Sequence, residues 1–190
     1  VLFGDDMVRA LNLAYEMGLT EKMQIVVPNL TLGMVRQVGP TIMEGVVGAA
    51  PWVWNLPYEN NYQRGKDFVE AFSDRYEMRP SSSAASAYSI VYQYKDAVER
   101  AGSTNTDAVI RALEGHRYSF LKDEQYWREF DHQNVQTVYV VRIKPRETVV
   151  ADQFSSDYFE IIDFLPGDEA AQTREEWEQR RKEAGKPTRL

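Results

Sequence analysis

The sequence predicts an α/β fold, a parallel sheet flanked by helices, and three observations carry that prediction. Residues 1–50 alternate between short apolar runs and helical periodicity. Residues 55–115 are almost wholly helical in pattern, and strand patterns return from Arg117 onward. Strand–helix–strand–helix–strand over the opening segment implies right-handed crossovers, which lay the strands side by side in parallel.

The elements follow in order. Val1, Leu2 and Phe3 read as the last half of a buried strand, so a segment is expected to precede Val1. Asp5 or Asp6 caps a helix reaching about Met17, with Gly18 as its stop. Met7, Val8, Ala10, Leu11, Leu13, Ala14 and Met17 cover much of its circumference, which predicts packing on both sides. Residues 24–27 are a short apolar run ended by Pro28, as in a buried parallel strand. A short helix or turn is expected over 31–38, closed by Gly39-Pro40. Residues 44–50 form the next strand, where Gly45 and Gly48 permit close backbone approach.

The run Pro51-Trp52-Val53-Trp54-Asn55-Leu56-Pro57 breaks this rhythm. Two tryptophans between two prolines suit an extended, rigid connector between lobes. A helix follows over 61–77, with Phe68, Phe72 and Tyr76 at four-residue spacing. In the next helix Ala87, Ile90, Val91, Tyr94, Ala97, Val98 and Ala101 form an apolar stripe expected to face a core. Gly102 stops it, and Thr104 with Asp107 offers a cap for a helix burying Ala108, Val109, Ala112 and Leu113. Tyr118-Ser119-Phe120 and residues 126–130 are short strand candidates. Residues 137–143 and 159–164 are stronger ones, and Pro166-Gly167 ends the last. The tail over 169–190 is nearly all polar, a solvated helix or a frayed terminus, with Trp177 its one aromatic residue.

Composition bounds the function. The 190 residues carry a formal charge of −7, which argues against nucleic-acid binding, since that requires a basic footprint. The chain has no cysteine, which excludes disulfides, thiol catalysis and thiolate metal sites. No apolar run approaches the ~20 residues that cross a bilayer, so direct membrane insertion is not expected.

Several motifs resemble one family. Ala87-Tyr88, the alanine-rich run ending in Gly102-Ser103, and the short helix from Ala108 to Leu113 form its helix-corner-helix signature. FGDDMVRALNLAYEMGL resembles its strand-to-helix segment, and Gly39-Pro40 with Glu44-Gly45-Val46 resembles its loop into a crossing strand. The helix carrying Phe68, Phe72 and Tyr76, Asp131-His132-Gln133, and YFEIIDFLPGDEA continue the series in order over residues 1–165. The chain thus resembles the extracellular solute-binding proteins of ABC transporters, in the branched-chain amino acid (Leu/Ile/Val-binding) group.

That resemblance implies a type I periplasmic-binding-protein-like fold: two α/β lobes joined by three crossings, with a small molecule bound in the cleft. The chain would be the C-terminal portion. Residues 1–51 would be part of lobe II, 52–116 the last helices of lobe I, 117–165 the return to lobe II strands, and 166–190 a charged tail. The implied function is capture of a small polar or aromatic solute in the periplasm for delivery to a membrane permease. A sensory module of the same fold is the alternative. No cofactor or metal is implied.

Ligands of open α/β sheets bind at the carboxyl ends of strands. Two such ends are visible: Phe3-Gly4-Asp5 and Pro28-Asn29-Leu30-Thr31. By resemblance the first carries an aromatic ligand contact on Phe3 or Gly4, and Asp5 is a helix cap or a contact. The second supplies an acid that holds a ligand ammonium, but here the matching residue is Asn29, which is neutral. A buried ammonium without a counter-charge is costly, so Asn29 points to a hydroxyl, amide or carboxylate, or is simply a turn residue. Trp52 and Trp54 either stack on a ligand or pack the connector. Catalysis is not expected. His116 and His132 lie apart, no G-x-S-x-G, HExxH or glycine-rich phosphate loop occurs, and Glu44 and Asp163 are unpaired candidates for a buried acid.

Overall fold

The computed structural model describes residues 4–188. The strand expected over 1–3, and Phe3 as a ligand contact, lie outside the described residues. The chain folds around a four-stranded sheet made of β1 (Val26–Val27), β2 (Val47–Ala50), β6 (Val138–Ile143) and β7 (Phe159–Leu165), in that spatial order. A separate three-stranded antiparallel sheet holds β3 (Arg117–Tyr118), β4 (Gln125–Trp127) and β5 (Asn134–Val135).

The larger sheet is mixed rather than parallel. Strands β1 and β2 pair in parallel, whereas β6 runs antiparallel to both β2 and β7. The reason is where the chain leaves and re-enters. It exits β2 after Ala50 and returns opposite that residue at Tyr139, so the chain leaves and re-enters at the same end of the sheet. Re-entry at the exit end forces the antiparallel direction. Strands expected from residue 117 therefore divide: β3–β5 form their own sheet, and the return comes only at Val138.

Helices α1 (Asp5–Glu16), α2 (Leu32–Val38) and α3 (Pro40–Met43) cover the sheet near β1 and β2. Their core contributions are Met7, Leu11, Leu32, Val35 and Met43, which join Val27, Ala50, Val141 and Ile143. Tyr139, Val141 and Ile143 are buried at every second position, the period of a strand with one face inward. Among the described residues helix α1 is covered on one side only: Met7 and Leu11 are buried, while Leu13 and, just past its end, Met17 are exposed. Neither aspartate caps it, since Gly4 holds the cap position at φ 58° and Asp5 begins the helix. The first residues of the expected 44–50 strand form a turn, with Glu44 exposed. Asp163 is exposed on β7, so neither acid is buried.

Residues 51–116 hold α4 (Leu56–Glu59), α5 (Gln63–Tyr76), α6 (Ser82–Ala101) and α7 (Thr106–Leu113). Gly102 ends α6 in the left-handed conformation, as expected, but Asn105 rather than Thr104 caps α7. The face of α6 is the expected one only in part. Ala85, Gln93 and Ala97 are buried, while Ile90, Val91 and Tyr94 are 56%, 65% and 53% exposed. Helix α7 packs against α6. The longer apolar residues are left uncovered among the described residues.

After β6 comes α8 (Arg146–Ala151), and β7 is followed by α9 (Gly167–Ala170) and α10 (Arg174–Glu183). Over its described residues the tail is neither frayed nor fully solvated. Thr173 accepts from Glu176 N at 3.2 Å while Glu176 Oε2 accepts from Thr173 N at 2.8 Å, a reciprocal cap. Buried Trp177 meets Phe130 edge-on at 5.4 Å. Thr173→Ala is expected to cost about 1 kcal/mol. Hydrogen exchange should show the loss of protection confined to residues 174–183, and a global loss would contradict a local cap.

Candidate functional site

The loop after β1 is shaped by its neighbours. Leu30 N–H donates to Ala49 O at 2.9 Å, so the strand pairing continues past Pro28 and drives the Leu30 side chain fully into the core. Thr31 then caps α2, its hydroxyl accepting from Met34 N at 3.4 Å. Asn29 is left exposed between these two structural residues, with no side-chain hydrogen bond among the described residues. Of the residues expected in this loop, Asn29 alone has an amide free for a ligand.

Asp5 is placed elsewhere. Its Oδ1 accepts from Gln37 Nε2 at 3.0 Å, which fixes the start of α1 against the last turn of α2. Asn29 and Thr31 precede the first turn of α2. The two expected groups are therefore separated by that helix, about 10 Å at 1.5 Å per residue.

Trp52 is buried and stands between two regions. On one side it shares with Leu30, Phe159 and Ser82 a crevice of about 10 Å³, room for one water at most. Trp52 also packs edge-on to Phe68 at 6.0 Å. On the other side it borders a pocket of about 150 Å³ reached from α6, β4 and β5.

The two crossings that join the four-stranded sheet to the helical part are tied side by side. Lys122 Nζ donates to Pro51 O and to Thr137 O, each at 2.7 Å. Lys122 is 3% exposed, and burial pushes its ammonium down to about 8, against the pull of the adjacent Asp123 carboxylate. Asp123 accepts from the Thr137 hydroxyl and, at 3.1 Å, from the Tyr139 phenol. Burial and that carboxylate hold the Tyr139 phenol above its ordinary value.

A second tie lies at the other rim. Arg79, in the loop after α5, pairs with Asp152 at 3.1 Å and lies over the Trp54 ring at 4.2 Å. Asp152 also accepts from Phe154 N and Ser156 N, at 3.1 and 3.0 Å, and so shapes the loop into β7. Neither tie was legible as such. Lys122 lies in an ordinary Leu-Lys-Asp string, and Arg79 and Asp152 are far apart along the chain.

Among the described residues no group of three acidic or histidine side chains could hold a metal ion, and no helix is long and apolar enough to cross a membrane.

The family model for periplasmic binding proteins matches residues 1–148. A periplasmic binding protein from Burkholderia mallei is 26% identical, with a TM-score of 0.79, over 92% of this chain and 44% of its own. A branched-chain amino acid ABC transporter periplasmic ligand-binding protein from Burkholderia xenovorans is 22% identical, with a TM-score of 0.76, over 92% and 45%. An amino acid ABC transporter substrate-binding protein from Pseudomonas fluorescens is 23% identical, with a TM-score of 0.74, over 87% and 43%. The chain spans less than half the length of these structures. The last two likenesses, below 25% identity, speak to the fold alone. No curated protein matches the chain.

Proposed function

The chain belongs to the periplasmic binding protein family, and on that premise we propose that it serves an ABC importer as part of its solute-binding component outside the cytoplasm. In this reading the four-stranded sheet with its helices is one lobe and the helices of residues 52–116 belong to the other. A small polar or aromatic solute binds between them without chemical change, and the closed form docks on a membrane permease.

The observation that supports it most is the pair of adjacent crossings at Pro51 and Thr137, bridged by Lys122. Two neighbouring strands of chain are a natural hinge, and a ligand touching both lobes would favour closure by its extra affinity for the closed state. On the sheet side, Asn29 would face the cleft, with Leu30, Thr31 and Trp52 supporting its loop.

Asn29 sets the expected selectivity. An ammonium held at this loop would lack a counter-charge, whereas an amide pairs well with a hydroxyl, an amide or a carboxylate. Thermal-shift screening of the whole protein is expected to favour small aromatic acids, amides or polyols over leucine and valine. Asn29→Asp should move the preference toward amino acids. A large melting shift with leucine or valine in the unmodified protein, and none with the other compounds, would count against this reading.

A further inference from the structure

The pocket beside Lys122 has features that the cleft reading does not use. Lysine is seldom buried unless paired. Here two of the ammonium's three N–H groups reach the neutral carbonyls of Pro51 and Thr137, and the third has no acceptor among the described residues. Asp123, the neighbouring carboxylate, is engaged with Thr137 and Tyr139. The result is a buried positive charge whose compensation is incomplete, an arrangement that costs free energy until an anion joins it.

The pocket matches such an anion. It holds about 150 Å³, and no carboxylate lines it, Lys122 being its one charged wall residue. A cavity of roughly that volume accommodates a benzene-sized body. Two of its walls are the indoles of Trp52 and Trp127, whose Nε1–H groups are both buried with no acceptor among the described residues. An orphaned buried donor is a cost that an acceptor in the pocket would relieve.

We propose that this pocket is a binding site for a small planar monocarboxylate, its carboxylate paired with Lys122 and its body set against Trp52 and Trp127. The site is separate from the Asn29 loop and does not rest on the reading above. Because Lys122 ties the crossings at Pro51 and Thr137, an anion held there also touches that tie.

Benzoate is the probe, with benzamide as its neutral counterpart, and tryptophan fluorescence of the 190-residue chain reports binding. Benzoate should change the emission saturably at pH 7, and benzamide should bind at least tenfold more weakly. Affinity should fall about tenfold between pH 7 and 9.5, as Lys122 loses its proton above about 8. The other titratable groups about it are Asp123, Tyr139 and Tyr118, and both phenols are raised by burial, so Lys122 dominates that window.

Lys122→Met should abolish the pH-dependent response, while Lys95→Met, an exposed lysine of α6 outside the pocket, leaves it unchanged. Equal affinity for benzoate and benzamide would overturn the proposal, as would a Lys122→Met chain that still binds benzoate. Should that variant fail to fold, the benzamide comparison and the pH profile decide in the unmodified chain.

Discussion

Arg79→Ala is expected to destabilise the protein by about 3–5 kcal/mol, the usual cost of removing one partner from a buried ion pair. The side chains of Arg79 and Asp152 are only 19% and 9% exposed, so water does little to screen the charge left behind. Asp152 would keep its bonds from Phe154 N and Ser156 N, but it would lose its cation and the guanidinium cover on Trp54. Two controls sharpen the test. Asp152→Asn keeps an acceptor for both backbone groups and should cost less than Arg79→Ala. Arg79→Lys keeps the charge but gives up the planar stacking on the indole, and it should fall between wild type and Arg79→Ala. Urea unfolding with unchanged m-values would measure all three, and a loss below 1 kcal/mol for Arg79→Ala would show the pair to be idle.

Gly48→Ala should be nearly as severe, and for a steric reason. A Cβ at this position would lie 2.3 Å from Val27 O and 2.6 Å from Leu30 Cδ1. The first atom is backbone of the paired strand and cannot yield without opening β1 from β2. The second belongs to the fully buried residue that anchors the Asn29 loop. Overpacking of this kind costs about 3 kcal/mol, which for a chain of this size lowers the melting temperature by about 10 °C. Because the displaced residue is Leu30, the same variant should also disturb any ligand response that depends on Asn29. A Gly48→Ala protein with wild-type melting would mean that the β1–β2 approach is looser than its geometry.

The sequence reading and the structure agree where local chemistry decides. Thr31 before a short apolar helix, Gly102 after a long one and Gly48 inside a strand each declare a backbone requirement that neighbours in sequence impose. The reading departed where distant segments decide. Periodicity located α6 and its buried Ala97 correctly but misjudged much of the face, for Ala85 and Gln93 are buried while Ile90, Val91 and Tyr94 are exposed. Parallel pairing was inferred from the opening βαβ, whereas the direction of β6 is set by re-entry beside Ala50. Short elements such as α8 and β5 carry too few residues to show a period at all.

Of the candidate site, Asn29 was legible as an exposed, uncharged loop group and remains one. Leu30 and Thr31 turned out to position it rather than to face solvent. For Trp52 the sequence leaves both stacking on a ligand and packing of the connector open. The structure packs it tightly on the Leu30 side and leaves it bordering a pocket on the other. Lys122 was missed because a lysine beside an aspartate in a charged segment reads as surface, and its burial follows only from the meeting of three remote segments.

The pairing of Ala50 with Tyr139 also has a kinetic meaning. These partners are roughly 90 positions apart, so docking them closes a large loop whose entropy must be met before the contact rewards it. Helices α5 to α7, built from near neighbours, have no such barrier. Refolding should therefore proceed in two phases, with rapid recovery of far-ultraviolet ellipticity followed by slower zippering of the β2–β6 seam.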